Sequence, residues 1–139
     1  MIQTSHSVAE TESIAAELVK TFVGGECIAI DGQLGAGKTQ FVRGLATALG
    51  ANPHAVSSPT YVLLNVYPGG RLTLFHLDAY RVSGPEDFES IGFTELLEQN
   101  GVVVVEWASR VEKILPAKRI NVTIEIIGKS DRKLTIQRP

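Results

Sequence analysis

The sequence predicts an α/β domain of three layers, built on a sheet that mixes parallel and antiparallel strands. Three observations predict it. Short apolar strands alternate with amphipathic helices from Ser7 to Gly50, the pattern of parallel strand–helix units. Hairpin signals appear later, around Pro68-Gly69-Gly70 and Gly128-Lys129-Ser130-Asp131, and add antiparallel strands. Between them, Val102 to Val105 is a continuous apolar run, as expected of a central strand buried on both faces. The chain has 139 residues, which fits a single domain over residues 1–139, and its apolar share of 44% is enough for a core.

The elements follow in order. Ser7 and Glu10 have capping-box spacing, and Ile14, Leu18 and Phe22, with Ala15 and Val19 beside them, form an apolar stripe that Gly24-Gly25 ends. Cys27 to Ile30 is a short buried strand. A glycine-rich loop runs from Gly32 to Gly37. The next helix runs from Lys38 to Leu49, with Val42, Leu45, Ala46 and Leu49 on one face and Gly50 at its end. Ala51 to Thr60 is polar with two prolines, hence a loop. Tyr61 to Tyr67 and Arg71 to Leu77 form a hairpin. Ser83-Gly84-Pro85-Glu86 starts a helix that Gly92 breaks, and Phe93 to Glu98 forms another short one. Ile120, Val122, Ile124 and Ile126 alternate with polar residues, which marks a half-exposed strand, and the last strand is Lys133 to Gln137.

Bulk composition narrows the function. A net charge of -2 speaks against a stand-alone nucleic-acid binder, and no DNA partner is expected. The single cysteine, Cys27, forms no internal disulfide and reads as a small buried hydrophobe. No apolar stretch approaches the ~20 residues that span a membrane. Met1 to His6 lacks the charged and apolar regions of a signal peptide, so a reduced cytoplasmic protein is expected.

The glycine-rich loop carries the chemistry. Gly32-Gln33-Leu34-Gly35-Ala36-Gly37-Lys38-Thr39 matches the P-loop (Walker A) pattern in full. A triphosphate concentrates negative charge in a small volume. Backbone N–H groups can converge on it only where glycines relax the backbone and clear side chains. The following helix adds its positive N-terminal dipole. Lys38 can reach the outer phosphates, and Thr39 can place a hydroxyl on magnesium. An apolar strand before the loop and an amphipathic helix after it are the context this motif requires, so the predicted architecture is P-loop NTPase-like.

Enzymes of this class also need an acid at the end of a neighbouring strand. Val102 to Val105 ends in Glu106, which fits the metal side. Asp78, in His76-Leu77-Asp78-Ala79-Tyr80-Arg81, ends another predicted strand. It either orients the attacking water or serves as a turn aspartate, and spacing leaves both open. His76 reads as a packed strand histidine. Trp107 either walls the site or packs in the core.

Taken together, Gly32 to Thr39, Ser58-Pro59-Thr60-Tyr61, His76 to Arg81, Ile91-Gly92 and Glu106-Trp107 resemble, in order and spacing, the TsaE family, the ATPase of bacterial tRNA threonylcarbamoyladenosine synthesis. The resemblance implies that Leu34, Gly35, Ala36, Gly37, Lys38 and Thr39 bind the phosphates of ATP. Thr39 and Glu106 would hold Mg2+, and Asp78 would assist hydrolysis. Ser58 to Tyr61 would act as a switch near the γ-phosphate, with Thr60 among the catalytic residues beside Lys38 and Asp78. Tyr80 and Arg81 would be functional neighbours. The adenine base would lie near Ser7 and Val8, with Arg132 close by. The implied partners are TsaB and TsaD, which carry out the transfer to the adenosine beside the anticodon, so that tRNA is met only through that complex. Gln33 stands where the family usually has an acid, and Ala108 where it often has proline.

Other readings compete. A small-molecule kinase would need an acceptor pocket and an arginine-bearing lid, and no arginine-rich insertion appears. A GTPase would carry an Asn-Lys-x-Asp guanine reader; Gly128-Lys129-Ser130-Asp131 lacks the amide and sits where a hairpin turn explains it. A nucleotide-gated assembly module with incidental hydrolysis merges with the favoured reading. Arg43 and Arg81 are the candidate internal arginines, with Arg43 on the helix surface. Without a positioned arginine, turnover is expected to be slow until TsaB and TsaD change it.

Overall fold

The computed structural model describes residues 1–52 and 64–139. The Ala51–Thr60 loop beyond Asn52, the start of the first hairpin strand, and the expected switch Ser58 to Tyr61, including Thr60, lie outside the described residues.

The chain runs through β1 (Ile2–Ser5), α1 (Val8–Val19), β2 (Cys27–Gly32), α2 (Lys38–Leu49), β3 (Leu64–Tyr67), β4 (Leu74–Asp78), α3 (Pro85–Glu89), α4 (Phe93–Glu98), β5 (Val102–Glu106), a 310 segment (Ala108–Ile114), β6 (Ile120–Ile126) and β7 (Arg132–Gln137). The strands form one sheet in the order β1-β7-β6-β2-β5-β4-β3. Strands β6, β2, β5 and β4 are parallel to one another, while β3, β7 and β1 join antiparallel at the two edges. The expected mixed α/β architecture is what the chain adopts.

Period-two alternation explains the layers. Ile28, Ile30, Leu74, Val102 and Val104 face Ile14 and Leu18 of α1 and Phe41 and Leu45 of α2 in one core. The alternate residues Cys27, Ala29, Phe75, Leu77, Val103 and Val105 face Phe88, Phe93, Leu96 and Val111 in the other. The valine strand β5 is buried throughout, because helices cover both of its faces. From β6 and β7 only one face contributes to a core, through Ile120, Val122, Ile124, Leu134 and Ile136. Ile126, expected on that buried stripe, is 41% exposed, since the strand outruns its cover there.

The capping expectation for α1 is met with a one-residue shift. Ser7 Oγ accepts from Glu10 N at 3.1 Å, while Glu10 Oε1 accepts from His6 N rather than from the cap itself. The helix ends at Val19, short of the predicted stripe end, yet Phe22 stays buried. Helix α2 spans the predicted residues, with Gly50 closing it at φ 90°.

Two elements depart from the sequence reading. Strand β1 was not foreseen: only Ile2 in it is strongly apolar, and that side chain is exposed, so no core pattern announces it. Its Ser5 hydroxyl meets the Thr11 hydroxyl at 2.8 Å and ties the strand to α1. Strand β4 begins at Leu74, not Arg71. Arg71 instead donates to Val19 O and Phe22 O, both at 2.7 Å, and its own N–H donates to Leu49 O at 2.8 Å. A residue predicted to extend a strand thus satisfies the open carbonyl ends of two helices.

Helices α1 and α2 touch at Gly44. A Cβ there would come within 2.4 Å of Glu12 O and 2.9 Å of the Ala15 Cβ, so only glycine permits this approach. No helix among the described residues is long and apolar enough to cross a membrane.

Candidate functional site

The parallel strands β2, β4 and β5 end together, and their carboxyl ends carry the site, as is general for open α/β sheets. The register places Asp78 of β4 directly opposite Glu106 of β5, and Ile30 of β2 opposite Glu106 on the other side. The glycine-rich loop then leaves β2 at Gly32. A Cβ on Gly32 would lie 2.6 Å from Ile124 O, so glycine is required where β2 passes β6. Gly35 and Gly37 adopt φ of 83° and 108°, a region L-side chains rarely enter, and Gly37 is the N-cap of α2. Ala36 N donates to Gln33 O at 3.0 Å and closes the loop on itself.

Two cavities flank this loop and share Gly35, Gly37 and Gln40. The one over the strand ends has a volume of about 470 Å³ and is walled by Leu34, Lys38, Thr39, Asp78, Tyr80, Arg81, Glu106 and Trp107 among others. Three of its four charged side chains come from deep in the fold, with Lys38 5% exposed, Asp78 4% and Glu106 3%, while Arg81 is exposed. Lys38 Nζ donates to Gly32 O at 2.6 Å and Gln33 O at 2.9 Å, and it sits 4.1 Å from the centroid of the Trp107 ring. Burial holds the Lys38 ammonium below its ordinary basicity, while the Glu106, Asp78 and Asp31 carboxylates pull the other way.

Thr39 Oγ1 donates to Glu106 Oε2 at 3.5 Å, and His76 Nε2 lies 2.5 Å from the same oxygen. Asp78 Oδ1 accepts from Tyr80 N at 2.8 Å, so the turn-aspartate reading describes one of its contacts, and the same residue walls the cavity. Trp107 both walls the cavity and packs against the second core, and its backbone is left-handed, with φ 57°. The Tyr80 ring packs against it at a tilt of 46°, with ring centroids 4.9 Å apart. Such strain in a non-glycine residue costs on the order of 1–3 kcal/mol and collects at functional sites.

The second cavity, of about 410 Å³, lies between the start of α1 and the β6–β7 turn. Ser7, Val8 and Thr11 line one side, the loop another, and Lys129, Ser130 and Arg132 the third. Arg132 braces the loop from below. Its Nε donates to Ala36 O at 3.1 Å and its Nη2 to Gly35 O at 3.4 Å, while its Nη1 donates to Gly128 O and Asp131 O. At the mouth, His6 Nδ1 pairs with Asp131 Oδ1 at 2.8 Å, and this contact raises the His6 pKa above 6.5. Gly128 to Asp131 forms the expected turn, yet Lys129 and Ser130 line this cavity, and the Asp131 carboxylate is held by His6.

Lys38, Thr39, Asp78 and Glu106 are therefore brought together in one cavity, and Ser7, Val8 and Arg132 in the other. Arg43 lines neither. Sequence reasoning missed three contributors. Gln40 borders both cavities. Asp31 Oδ1 accepts from Ser109 N and Oγ, at 3.1 and 2.9 Å, and pins the 310 segment to the end of β2. His76 touches Glu106, and strand parity could have revealed it, because His76 and Asp78 share one face of β4. Cys27 is buried as expected, which pushes its thiol up to about 12.

A family model described as threonylcarbamoyl adenosine biosynthesis protein TsaE matches residues 5–134. Curated relatives share this description as tRNA threonylcarbamoyladenosine biosynthesis proteins. The protein from Treponema pallidum is 42% identical over 112 residues, covering 81% of this chain and 82% of its own. That from Aquifex aeolicus is 39% identical over 130 residues, covering 93% and 90%, and that from Bacillus subtilis 36% over 126 residues, covering 91% and 78%. The crystal structure of Bacillus subtilis YdiB superposes with a TM-score of 0.82 at 30% identity, covering 99% of this chain and 84% of that one.

Proposed function

Because this chain belongs to the TsaE family of tRNA threonylcarbamoyladenosine biosynthesis proteins, we propose that it serves that pathway by binding and slowly hydrolysing MgATP. It acts with TsaB and TsaD and leaves the threonylcarbamoyl transfer to them.

The observation that carries this reading is the pair of cavities joined at Gly35, Gly37 and Gln40. One offers a buried ammonium, a hydroxyl and two buried carboxylates, with the exposed Arg81 beside them; the other, bordered by Ser7, Val8 and Arg132, holds no fully buried charge. A nucleotide divides its chemistry in the same way, with phosphates and metal at one end and base at the other. The loop between them would present its N–H groups to the phosphates. Lys38 would exchange its two carbonyl contacts for the outer phosphates. Thr39 and Glu106 supply hard oxygen donors within 3.5 Å of each other, which suits a magnesium ion that takes its remaining ligands from phosphates and water. When bound, that ion neutralises charge on the phosphates. Asp78, fixed by Tyr80 N, would accept a proton-side hydrogen bond from the attacking water. Ser7 and Val8 border the cavity that would take adenine.

The test is phosphate release from MgATP and MgGTP, by the protein alone and with TsaB, TsaD and tRNA. ATP-selective turnover that changes with TsaB and TsaD is expected. Turnover indifferent to them would remove the partnership, and a preference for GTP would remove the adenine reading.

A further inference from the structure

We propose that His76 is a positioning residue that aims the Glu106 carboxylate, so that the magnesium affinity of the site depends on a side chain that never touches the ion. The inference rests on the reading of Thr39 and Glu106 as the metal-side pair.

His76 lies in the middle of β4 and is fully buried. It lines neither of the two cavities that flank the loop, so it acts only through what it contacts. Its Nε2 reaches Glu106 Oε2 at 2.5 Å, and Thr39 Oγ1 reaches that same oxygen at 3.5 Å. Among the described residues His76 Nδ1 has no hydrogen-bond partner, so the only polar tie of the ring points at Glu106. The pairing requires the proton on Nε2, since a carboxylate can only accept.

Glu106 needs such a tie. Its side chain has rotatable bonds to spare, and Asp78, opposite it in the register, places a like charge beside it. A buried carboxylate without a donor would turn away or take up a proton. The ring holds it toward Thr39 instead. Groups that orient metal ligands in this way commonly set affinity by about 10- to 100-fold. A histidine that merely filled space at this position would leave the metal requirement untouched when replaced by another residue of similar bulk.

That difference is the test. ATP binding to the full chain is measured by calorimetry across a magnesium series and in EDTA, for the wild type, His76→Leu and His76→Gln, with thermal melts alongside. Gln can present an N–H near the position of Nε2; Leu cannot. Leu is expected to raise the half-saturating magnesium concentration by about tenfold, to leave magnesium-free ATP affinity nearly unchanged, and to be largely rescued by Gln. If Leu fails to fold, Gln is compared with His76→Asn, whose amide falls short, and Gln must need less magnesium. An unmoved magnesium requirement in Leu, or equal shifts in Leu and Gln, overturns the proposal. A wild type whose ATP binding ignores magnesium overturns the metal-side reading of Thr39 and Glu106 on which the proposal rests, and a wild type that binds no ATP overturns the nucleotide reading, so the failures are told apart.

Discussion

The cavity over the strand ends and the cavity beside α1 share one loop, but they are made of different material. The first is built from side chains with charge: Lys38, Asp78 and Glu106 are each at least nine-tenths buried. The second holds no fully buried charge. The guanidinium of Arg132 is spent on four carbonyl oxygens, and the one ion pair at its mouth, His6 with Asp131, is exposed. Buried charge has large leverage because water cannot replace a lost partner, whereas exposed pairs are screened and replaceable. Substitutions on the two sides should therefore differ in size and in kind.

The largest effect is expected at Lys38. Lys38→Ala should lower kcat/KM for ATP by roughly 1,000-fold, as loss of a phosphate clamp does, and phosphate-release kinetics will measure it. Asp78→Asn comes next. Asn keeps the acceptor that Tyr80 N uses, so the turn survives. Steady-state kinetics and calorimetry should find kcat down by roughly 100-fold with ATP affinity held. A parallel loss of affinity would mean that Asp78 shapes the site and does not act on water.

Across the loop the effects shrink. Arg132→Ala leaves Ala36 O and Gly35 O without their donor. It should raise KM for ATP by about tenfold through a loosened loop, with a smaller change in kcat. A collapse in kcat comparable to that of Asp78→Asn would erase the distinction between the cavities. The smallest effect is at the mouth. The raised pKa of His6 means that its pairing with Asp131 stabilises the fold fully below pH 6.5 and that this contribution is lost as pH rises through the raised value. Melting curves from pH 6 to 8 should show a slight fall that Asp131→Asn or added salt abolishes.

The same division explains what could be read from the chain. The loop Gly32 to Thr39 and the acid after Val102 to Val105 were legible because phosphate and metal chemistry tolerate few residue types at fixed spacing. The alternation from Ile120 to Ile124 was legible because one face of β6 must meet a core. Arg71 lies outside the strand because its work is to donate to the carbonyls of Val19, at the end of α1, and of Phe22 just beyond it, far away in sequence, and such bonds leave no periodic trace. Arg132 hides its bracing role for the same reason. The sequence reads His76 as a packed strand residue, which its burial bears out; strand parity puts it on the face of Asp78, but its contact with Glu106, diagonal to it across β4 and β5, is seen only in the structure. Ser7 is legible as a helix cap, but a place beside the base for Ser7, Val8 and Arg132 is implied by the family resemblance alone, since a pocket made by helix starts and turns asks little of side-chain identity.

Gly44 sets how closely α1 and α2 approach. With the Glu12 carbonyl 2.4 Å from where a methyl would stand, the two helices meet with no spare room. Helix α1 carries Ser7 and Val8 at its start, and α2 carries the loop. A single added carbon would act as a wedge between them and open the α1 side while the strand-end side, fixed by the β2–β5–β4 register, kept its dimensions. The spacing of the two cavities is in this sense a manufactured tolerance, set by the absence of one atom where two helices meet.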